Sequence, residues 1–432
     1  NSAFQISPFA LERVEVVRGA TALFGAGAPG GIVNLITRRA RSEALEVDAV
    51  VRTGFNTSRP TGTFQTDLYA GVGQKIDRFD YYVGVGYQDY GVGRAPNESR
   101  VVGTTFDALS LNGNAGVELS DTVRLRLTGT WYREDPGQEY NVSGVDVDAG
   151  VPFPEVIPVA PNPFRSEARD QLWTLALTLE ADEVLGHRFL GQAYGMSQMF
   201  RQRANFQDFN AGAPDFFSDN RTNSTYGFRG TLQKRFDLGG NRDLGLEYGL
   251  DWKRDRLIRL LLDPADPDTV TGFIAPEVFL TSTGLFGQAE LKVGDVRFTG
   301  GLRQEWYRGR IGDELAGLGL SGEGTPGRFA PASLLLANLG VVWSVADTAQ
   351  LYASFNQGAE LTQLGRAARR ATDPSLISPE PALSEQFEVG ARGKAGAFDF
   401  TFAGFYSRSD AASLLQPDPS CAGQSFCPLI PL

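Results

Sequence analysis

The stretch "FGAGAPGGIVNLITRRA", residues Phe24–Ala40, satisfies the G-x-G-x-x-G pattern of a dinucleotide-binding turn through Gly25, Gly27 and Gly30. A phosphate-binding turn needs a strand that runs directly into the glycines and a helix that begins at them. Here the residues after the glycines, Ile32–Thr37, are apolar and β-branched and lack helical periodicity. The stretch therefore predicts two strands joined by a glycine-rich turn, and the nucleotide interpretation fails.

The composition excludes several classes of protein. The 432 residues carry a formal charge of -11, which argues against a nucleic-acid-binding protein, since such proteins present basic surfaces. A single histidine excludes a zinc site built from several histidines and argues against a His-centred catalytic triad. No apolar run is long enough for a transmembrane helix, but strands of a membrane barrel keep hydropathy low and remain possible.

Beyond residue 44 the sequence repeats one pattern. Between Asp121 and Arg133, apolar residues at odd positions alternate with polar residues at even positions, and Leu285–Val293 repeats this. Strict alternation predicts strands with one apolar and one polar face. We count about fifteen such strands of roughly 9 to 14 residues, which is long for a soluble sheet. The pattern favours a transmembrane barrel over a soluble sandwich, propeller or lipocalin-like barrel, which stay as alternatives.

The connections between the strands alternate between short and long, as in outer-membrane barrels, whose long loops lie outside the cell. Aromatic residues near strand ends fit interfacial girdles, namely Tyr87, Trp131, Trp252 and Trp306. The short connections lie near residues 74–78, 120–121, 182–186, 237–242, 294–295, 346–348 and 394–396, and the long ones near residues 90–107, 134–169, 202–220, 256–278, 311–333 and 358–382.

Two segments resemble one family. "LERVEVVRGATALFGAGAPGGIVNLITRRA" (residues 11–40) resembles the second half of the plug domain of TonB-dependent outer-membrane receptors. "LYASFNQG" (351–358) and "PEPALSEQFEVGARG" (379–393) resemble barrel strands of the siderophore-receptor branch. The resemblance implies an all-β fold: the C-terminal part of a plug at residues 1–40, then the N-terminal two-thirds of a transmembrane antiparallel barrel at residues 41–432. About fifteen of the family's 22 strands would be present, an odd number that would not close in the bacterial pattern.

The resemblance also implies a function. We expect a receptor of the Gram-negative outer membrane that takes up ferric siderophores, with the ligand bound by extracellular loops and plug apices. Its partners would be the TonB–ExbB–ExbD complex, the ferric chelate and outer-membrane lipid, with no nucleic acid. No enzymatic activity and no resident cofactor are expected. The alternatives are uptake of another nutrient, such as cobalamin or carbohydrate, and a passive porin-like barrel.

In this interpretation the plug residues have two roles. The glycines allow sharp turns and close approach of backbone inside the lumen, and they are Gly19, Gly25, Gly27, Gly30 and Gly31. Arginines of the plug face the charged inner wall, and we expect ion pairs of Arg18 and Arg38, with Arg39 beside them, to carboxylates such as Glu290, Glu388 or Glu247. Solvated lumen charges without fixed partners are the alternative.

Ligand contacts are expected from the long loops. Aromatic side chains there could stack on an aromatic chelate, and arginines could meet an anionic ferric complex; packing of the loops on themselves is the alternative. These residues are Tyr140, Arg203, Phe206, Phe209, Phe216, Phe217 and Arg221. Cys421 and Cys427 could pair in an exported loop. We expect no metal site, since the acidic loop at residues 263–268 fits an Asp-Pro turn better than a calcium site.

Overall fold

A computed structural model of the protein describes residues 5–18, 31–94, 100–101, 104–136, 140–142, 156–158, 169–201, 205–207, 215–263, 266, 268–313, 315–361, 364–409, 415–417 and 429–431. The helical elements are the short helix α1 (Leu364–Ala368) and the 3-10 turns Pro8–Ala10 and Pro374–Leu376. Among the described residues, no helix is both long and apolar enough to cross a bilayer.

Almost all regular structure is β-strand. The strands are β1 (Leu11–Arg18), β2 (Gly31–Thr37), β3 (Glu46–Gly54), β4 (Gln65–Ile76), β5 (Phe79–Tyr90), β6 (Gly93–Arg94), β7 (Arg100–Val101), β8 (Phe106–Glu118), β9 (Val123–Pro136), β10 (Tyr140–Val142), β11 (Val156–Pro158), β12 (Arg169–Val184), β13 (His187–Arg201), β14 (Asn205–Gln207), β15 (Asp215–Asp237), β16 (Arg242–Leu262), β17 (Val270–Val293), β18 (Val296–Ile311), β19 (Gly327–Arg328), β20 (Ala332–Ala346), β21 (Ala349–Glu360), β22 (Ala382–Ala395), β23 (Phe398–Ser409), β24 (Leu415–Pro417) and β25 (Leu429–Pro431).

Fifteen long strands, from β3 to β23, build one antiparallel barrel in which each strand pairs with its neighbours along the chain. The barrel closes in strand order with β23 next to β3, against the prediction from an odd number of strands. No residue-by-residue ladder joins these two end strands within the described residues. The first and last of an odd number of up-and-down strands run in the same direction, so this junction is not antiparallel like the others.

The connections confirm the alternation of short turns and long loops. Each predicted short connection is a turn of two to four residues, such as Asp77–Arg78 between β4 and β5. Two predicted long loops are wrong in part: within residues 202–220, β15 begins at Asp215, and within residues 256–278, β16 continues to Leu262 and β17 begins at Val270. Most residues of the segment 256–278 belong to strands, because β15, β16 and β17 continue pairing well beyond the length needed to cross a bilayer.

The two faces of the barrel have opposite polarity. On β18, Phe298, Leu302 and Trp306 point outward and are about half exposed, whereas Arg303 and Glu305 point inward and are buried. Other strands repeat the outward apolar face, with exposed Val51, Leu68, Val83, Leu111, Leu127, Leu175, Phe228, Leu250, Leu285, Leu339, Leu351 and Phe387. An apolar exterior around a polar interior is the pattern of a barrel that faces lipid.

Arg303 is at the centre of a charge network on the inner wall. Its Nη1 and Nη2 donate to the two carboxylate oxygens of Asp251 at 2.8 and 2.7 Å, and its Nε donates to Glu305 at 2.6 Å. The guanidinium groups of Arg303 and Arg229 lie 5.6 and 4.5 Å from the ring centre of Phe286. Only 2% of the Arg303 side chain is exposed, so the paired carboxylates must offset the cost of removing this charge from water.

The N-terminal segment lies inside the barrel. The two strands predicted around the glycine turn are present, since β1 pairs with β2 from Leu11–Thr37 to Arg18–Gly31. Gly31 has φ 124°, which favours glycine; the other predicted plug-turn glycines, Gly19, Gly25, Gly27 and Gly30, lie outside the described residues. Gln5 donates to Asp170 at 2.6 Å and accepts from Gln198 at 3.3 Å, both on the inner wall.

Arg38 of the plug pairs with a wall carboxylate, but with a different one from those named in the prediction. Arg38 Nη1 lies 3.1 Å from Asp48 Oδ1 on β3, the first barrel strand. Glu290 instead pairs with Arg297 at 3.6 Å, and Glu388 accepts from the Tyr352 hydroxyl at 2.8 Å. Neighbouring strands bring wall residues within about 5 Å of each other, so they satisfy each other first.

The other residues predicted to form ion pairs between plug and wall are Glu247, Arg39 and Arg18. Glu247 accepts from Gln233 on the adjacent strand at 3.2 Å, and Arg39 is exposed. The side chain of Arg18 lies outside the described residues. Arg38 reaches Asp48 because it leaves β2 shortly before the chain enters the wall.

A charge on the outer face tests the orientation of the barrel. Leu302 lies midway between Phe298 and Trp306, which are separated by about 20 Å along the barrel axis at ~3.3 Å per residue and the usual strand tilt. We expect Leu302→Arg to destabilise the protein folded in lipid vesicles, lowering its free energy of unfolding by about 2–4 kcal/mol, as for a lipid-facing arginine at the bilayer midplane. Urea titration of vesicle-folded protein measures this. The control Leu185→Arg, in a fully exposed turn, should have little effect; equal losses would contradict the orientation.

A disulfide tests whether the N-terminal segment lies in the lumen. A Cβ built on Gly86 of β5 would lie 3.2 Å from Cβ of Ser7, close to the separation in a disulfide. With Cys421 and Cys427 replaced by serine, we expect Ser7→Cys with Gly86→Cys to oxidise to a bond that shifts migration in a non-reducing gel. Ser7→Cys with Gly113→Cys, in which the second thiol lies on the outer face, should stay reduced. Free thiols in the first pair after oxidation would contradict the placement.

Candidate functional site

A cavity of about 490 Å³ opens at the long-loop end of the lumen. Its wall comes from inward side chains of β16 and β17, including Leu257, Arg259 and Leu280. Its other side comes from the connection after β21, through Leu364 and Arg366 of α1. The volume falls within the range of small-molecule sites.

Packing holds α1 against the wall. Leu364 and Ala368 are buried in one apolar cluster with wall residues such as Val278 and Ile311. Gly365 permits the approach, because a Cβ at this position would lie 2.7 Å from Cδ2 of Leu257. A backbone bond from Thr325 N to Ala371 O, 2.8 Å, joins this connection to the loop between β18 and β20. Two long connections thus fold inward over part of the lumen.

The cavity is rich in arginine. Arg221 of β15 and Arg259 of β16 lie opposite each other in the ladder, and both line the cavity with Arg366. Like charges directly opposite each other destabilise a sheet, so an anion between them would be stabilising. The carboxylate that lines the cavity, Asp255, already accepts from Thr225 at 2.6 Å and lies 3.4 Å from the Lys253 ammonium.

The electrostatics of the loop show the same surplus of positive charge. Burial, together with the like charges of Arg370, Arg259 and Arg366, lowers the pKa of Arg369 below its ordinary value. The direction of the shift is consistent with three other guanidinium groups lying near that of Arg369. Such a cluster attracts anions, and guanidinium forks bind carboxylate-type oxygens in pairs.

The predicted ligand residues divide into three groups. Arg221 lies at the cavity, as stated above. The backbone of Phe206 lies opposite that of Phe216 in the β14–β15 ladder, where Asn205 faces Phe217; Tyr140 begins β10, and the side chains of these aromatic residues are outside the described part. Arg203, Phe209, Cys421 and Cys427 lie outside the described residues altogether, so these predictions stay open.

Sequence reasoning missed Arg259, Arg366, Arg369 and Arg370. The segment "RAARR", residues 366–370, places three arginines within five residues of a long loop in an acidic protein. That contrast was a usable signal. Arg259 was hidden because its segment reads as a loop, whereas the alternation that points it inward continues through β16.

Within the described residues no cluster of side chains suits a metal ion. In the acidic loop, Asp266 accepts from the Thr269 hydroxyl at 2.6 Å, the contact of a local turn. His187 Nε2 lies 3.0 Å from the Tyr248 hydroxyl near the short turn after β12. These polar groups are accounted for by local structure.

Curated relatives resemble nearly the whole chain. The rhizobactin receptor of Rhizobium meliloti (strain 1021) is 23% identical over 94% of this chain and 60% of its own length. The ferric aerobactin receptor of Klebsiella pneumoniae is 22% identical over 96% of this chain and 62% of its own. The chain therefore spans about three fifths of the length of the curated relatives it matches.

Solved structures share the fold. The ferric citrate transporter FecA in its unliganded form superposes with a TM-score of 0.71 at 16% identity, over 95% of this chain and 59% of that one. The siderophore receptor PiuA of Acinetobacter baumannii gives 0.67 at 14% identity, over 92% of this chain and 62% of that one.

The family model described as TonB dependent receptor-like, beta-barrel, matches residues 110–426, well over half of the chain. The matched region runs from within β8 past the end of β23, through twelve of the fifteen barrel strands. Taken with the barrel and its inverted polarity, this match shows that the chain belongs to the TonB-dependent receptor β-barrel family and is a protein of the Gram-negative outer membrane.

Proposed function

We propose that this chain is part of a receptor for TonB-dependent uptake of ferric siderophores, and that it binds a negatively charged ferric chelate in the arginine-lined cavity. The observation that carries the proposal is the group of cavity arginines at the loop end of the lumen. The names of the relatives, receptors for rhizobactin and ferric aerobactin, support the same class of ligand.

The cavity suits an anionic chelate better than a neutral nutrient. Arg221, Arg259 and Arg366 provide fixed positive charge, and each bond from a guanidinium to an anionic oxygen is stronger than one between neutral groups. Leu257, Leu280 and the other apolar wall residues would contact the hydrocarbon part of the chelator. A sugar or a neutral corrin offers little to offset the mutual repulsion of these arginines.

Transport requires the N-terminal segment to leave its position or to rearrange. Within the described residues, its side-chain bonds to the wall include that of the buried Gln5 to Asp170 and the partly exposed ion pair Arg38–Asp48. A partly exposed ion pair contributes ~1 kcal/mol or less. Energy delivered by TonB with ExbB and ExbD would need to break contacts of these kinds. No bond-making chemistry is involved, and the transported ferric siderophore is cargo rather than a cofactor.

The loop aromatics form a further part of the proposal. The ladder between β14 and β15 brings the backbones of Phe206 and Phe216 together, and β15 continues into the wall that carries Arg221. We propose that the aromatic residues Tyr140, Phe206, Phe209, Phe216 and Phe217, with Arg203, make the first contact with the chelate.

Charge removal at the cavity tests the proposal. We expect Arg259→Gln with Arg366→Gln to weaken binding of ferric aerobactin at least tenfold, since a hydrogen bond to a charged group contributes about 1.5–3 kcal/mol. Quenching of tryptophan fluorescence during titration of the detergent-purified protein measures the affinity.

The matched control is Arg188→Gln with Arg297→Gln, which removes the same charge at the short-turn end of the barrel. It should bind ferric aerobactin like the unmodified chain. Cyanocobalamin serves as the neutral ligand. Tight cyanocobalamin binding, or ferric aerobactin binding that is indifferent to the cavity arginines, would overturn the proposal.

A further inference from the structure

Four arginines on two strands, which flank β17, point away from the lumen. They are Arg254 and Arg256 of β16 and Arg308 and Arg310 of β18, and we call them the outer arginine group. In the ladders, Arg254 and Arg308 both lie opposite Thr281, and Arg256 and Arg310 both lie opposite Phe279. These pairings place all four side chains on one patch of the outer surface, which the proposed uptake function does not use.

The patch borders the lipid-facing band. An aromatic row lies two positions from Arg254 and Arg308, toward the short-turn end of the barrel. In this row, Trp252 and Trp306 both lie opposite Thr283, and Phe228 lies opposite Trp252. Such an aromatic row marks the boundary between hydrocarbon and headgroups. The arginines lie two and four residues beyond it, at ~3.4 Å per residue. With the usual strand tilt, Arg254 and Arg308 lie about 5 Å beyond the row, within the headgroup layer of roughly 5–8 Å. Arg256 and Arg310 lie about 10 Å beyond it, at the outer edge of that layer.

The side chains are held with donors available. The Phe279 ring lies between two guanidinium groups, with Arg254 4.6 Å and Arg310 4.3 Å from its centre. Stacking on a ring fixes the guanidinium plane while its edge N–H groups stay free to donate. Arg308 is exposed and makes no ion pair with a described residue, and the buried Nε of Arg254 has no hydrogen-bond partner there.

The patch has a surplus of positive charge. Arg256 Nε lies 2.6 Å from Glu277, and Arg310 lies 3.7 Å from the exposed Asp313. Among the described residues, four guanidinium groups thus face two carboxylates, which leaves two positive charges. In the outer leaflet of the outer membrane, the anionic lipid is lipopolysaccharide, whose lipid A carries phosphate groups at this depth. Guanidinium groups bind phosphate through paired hydrogen bonds.

We propose that Arg254, Arg256, Arg308 and Arg310 bind the phosphate groups of lipopolysaccharide on the outer surface of the barrel. Charge complementarity selects a phosphate, and continuity with the aromatic row selects a membrane lipid over a soluble anion. Phe279 serves as the rigid base on which two of the four guanidinium groups are presented.

Native mass spectrometry of the detergent-purified full chain tests the site, with hexa-acylated lipid A carrying both phosphates as the probe. We expect Arg254→Gln with Arg308→Gln to lower its affinity about 30-fold, since each surface arginine near an anionic lipid contributes about fivefold. Arg254→Lys with Arg308→Lys, which keeps the charge, should lose less than the glutamine pair, and Arg188→Gln with Arg297→Gln should bind like the unmodified chain.

Three results would overturn the proposal. Equal affinity for lipid A with and without its phosphates would exclude phosphate recognition. Equal affinity for phosphatidylglycerol would exclude lipopolysaccharide as the selected lipid. An equal loss in the glutamine pair and the Arg188/Arg297 pair would show that net charge, rather than this patch, governs binding.

Discussion

The structure depends on one constraint: a sheet that faces lipid must pair every backbone group with its neighbours and expose only apolar side chains to the bilayer. Antiparallel ladders between consecutive strands meet the first requirement from β3 to β23. Strict alternation meets the second, because successive side chains point to opposite faces. Leu302 therefore faces outward while its neighbour Arg303 is buried in the wall. At the depth of the hydrocarbon, polar side chains therefore face the lumen.

This concentration of polar groups in the lumen is what gives the wall its rigidity. Arg303, held by Asp251 and Glu305 and packed on Phe286, has few alternative arrangements that keep its charge paired. Removing one partner of such a buried set costs more than the pair contributes, because the other charge is left uncompensated. The N-terminal segment, in contrast, touches the wall through partly exposed groups such as Arg38 and Asp48. The barrel wall is therefore held more firmly than the N-terminal segment inside it.

The fold could be predicted from the sequence because alternation is a local signal: strands such as Val123–Pro136 and Val296–Ile311 show it within one stretch. The strand–turn–strand unit at Leu11–Thr37 and the short turns could also be predicted from local sequence. Partner choice could not be predicted, because it depends on register between strands. Glu290 and Glu388 were assigned to plug arginines and instead contact Arg297 and Tyr352 on adjacent strands. The cavity was missed for a related reason, since register alone places Arg221 opposite Arg259.

The same alternation lets one strand serve two environments. Along β16, the even-numbered Arg254 and Arg256 point outward, toward the headgroup layer, while the odd-numbered Asp255, Leu257 and Arg259 line the cavity. Arginine is useful on both faces for one reason, its pairing with multi-oxygen anions, and what differs is the anion within reach. A shift of register by one residue would exchange the two sets and place Leu257 in the headgroup layer. The ladder between β15 and β16 fixes that register, because it runs to Leu262 without a shift, whereas the ladder between β16 and β17 becomes irregular beyond Leu257.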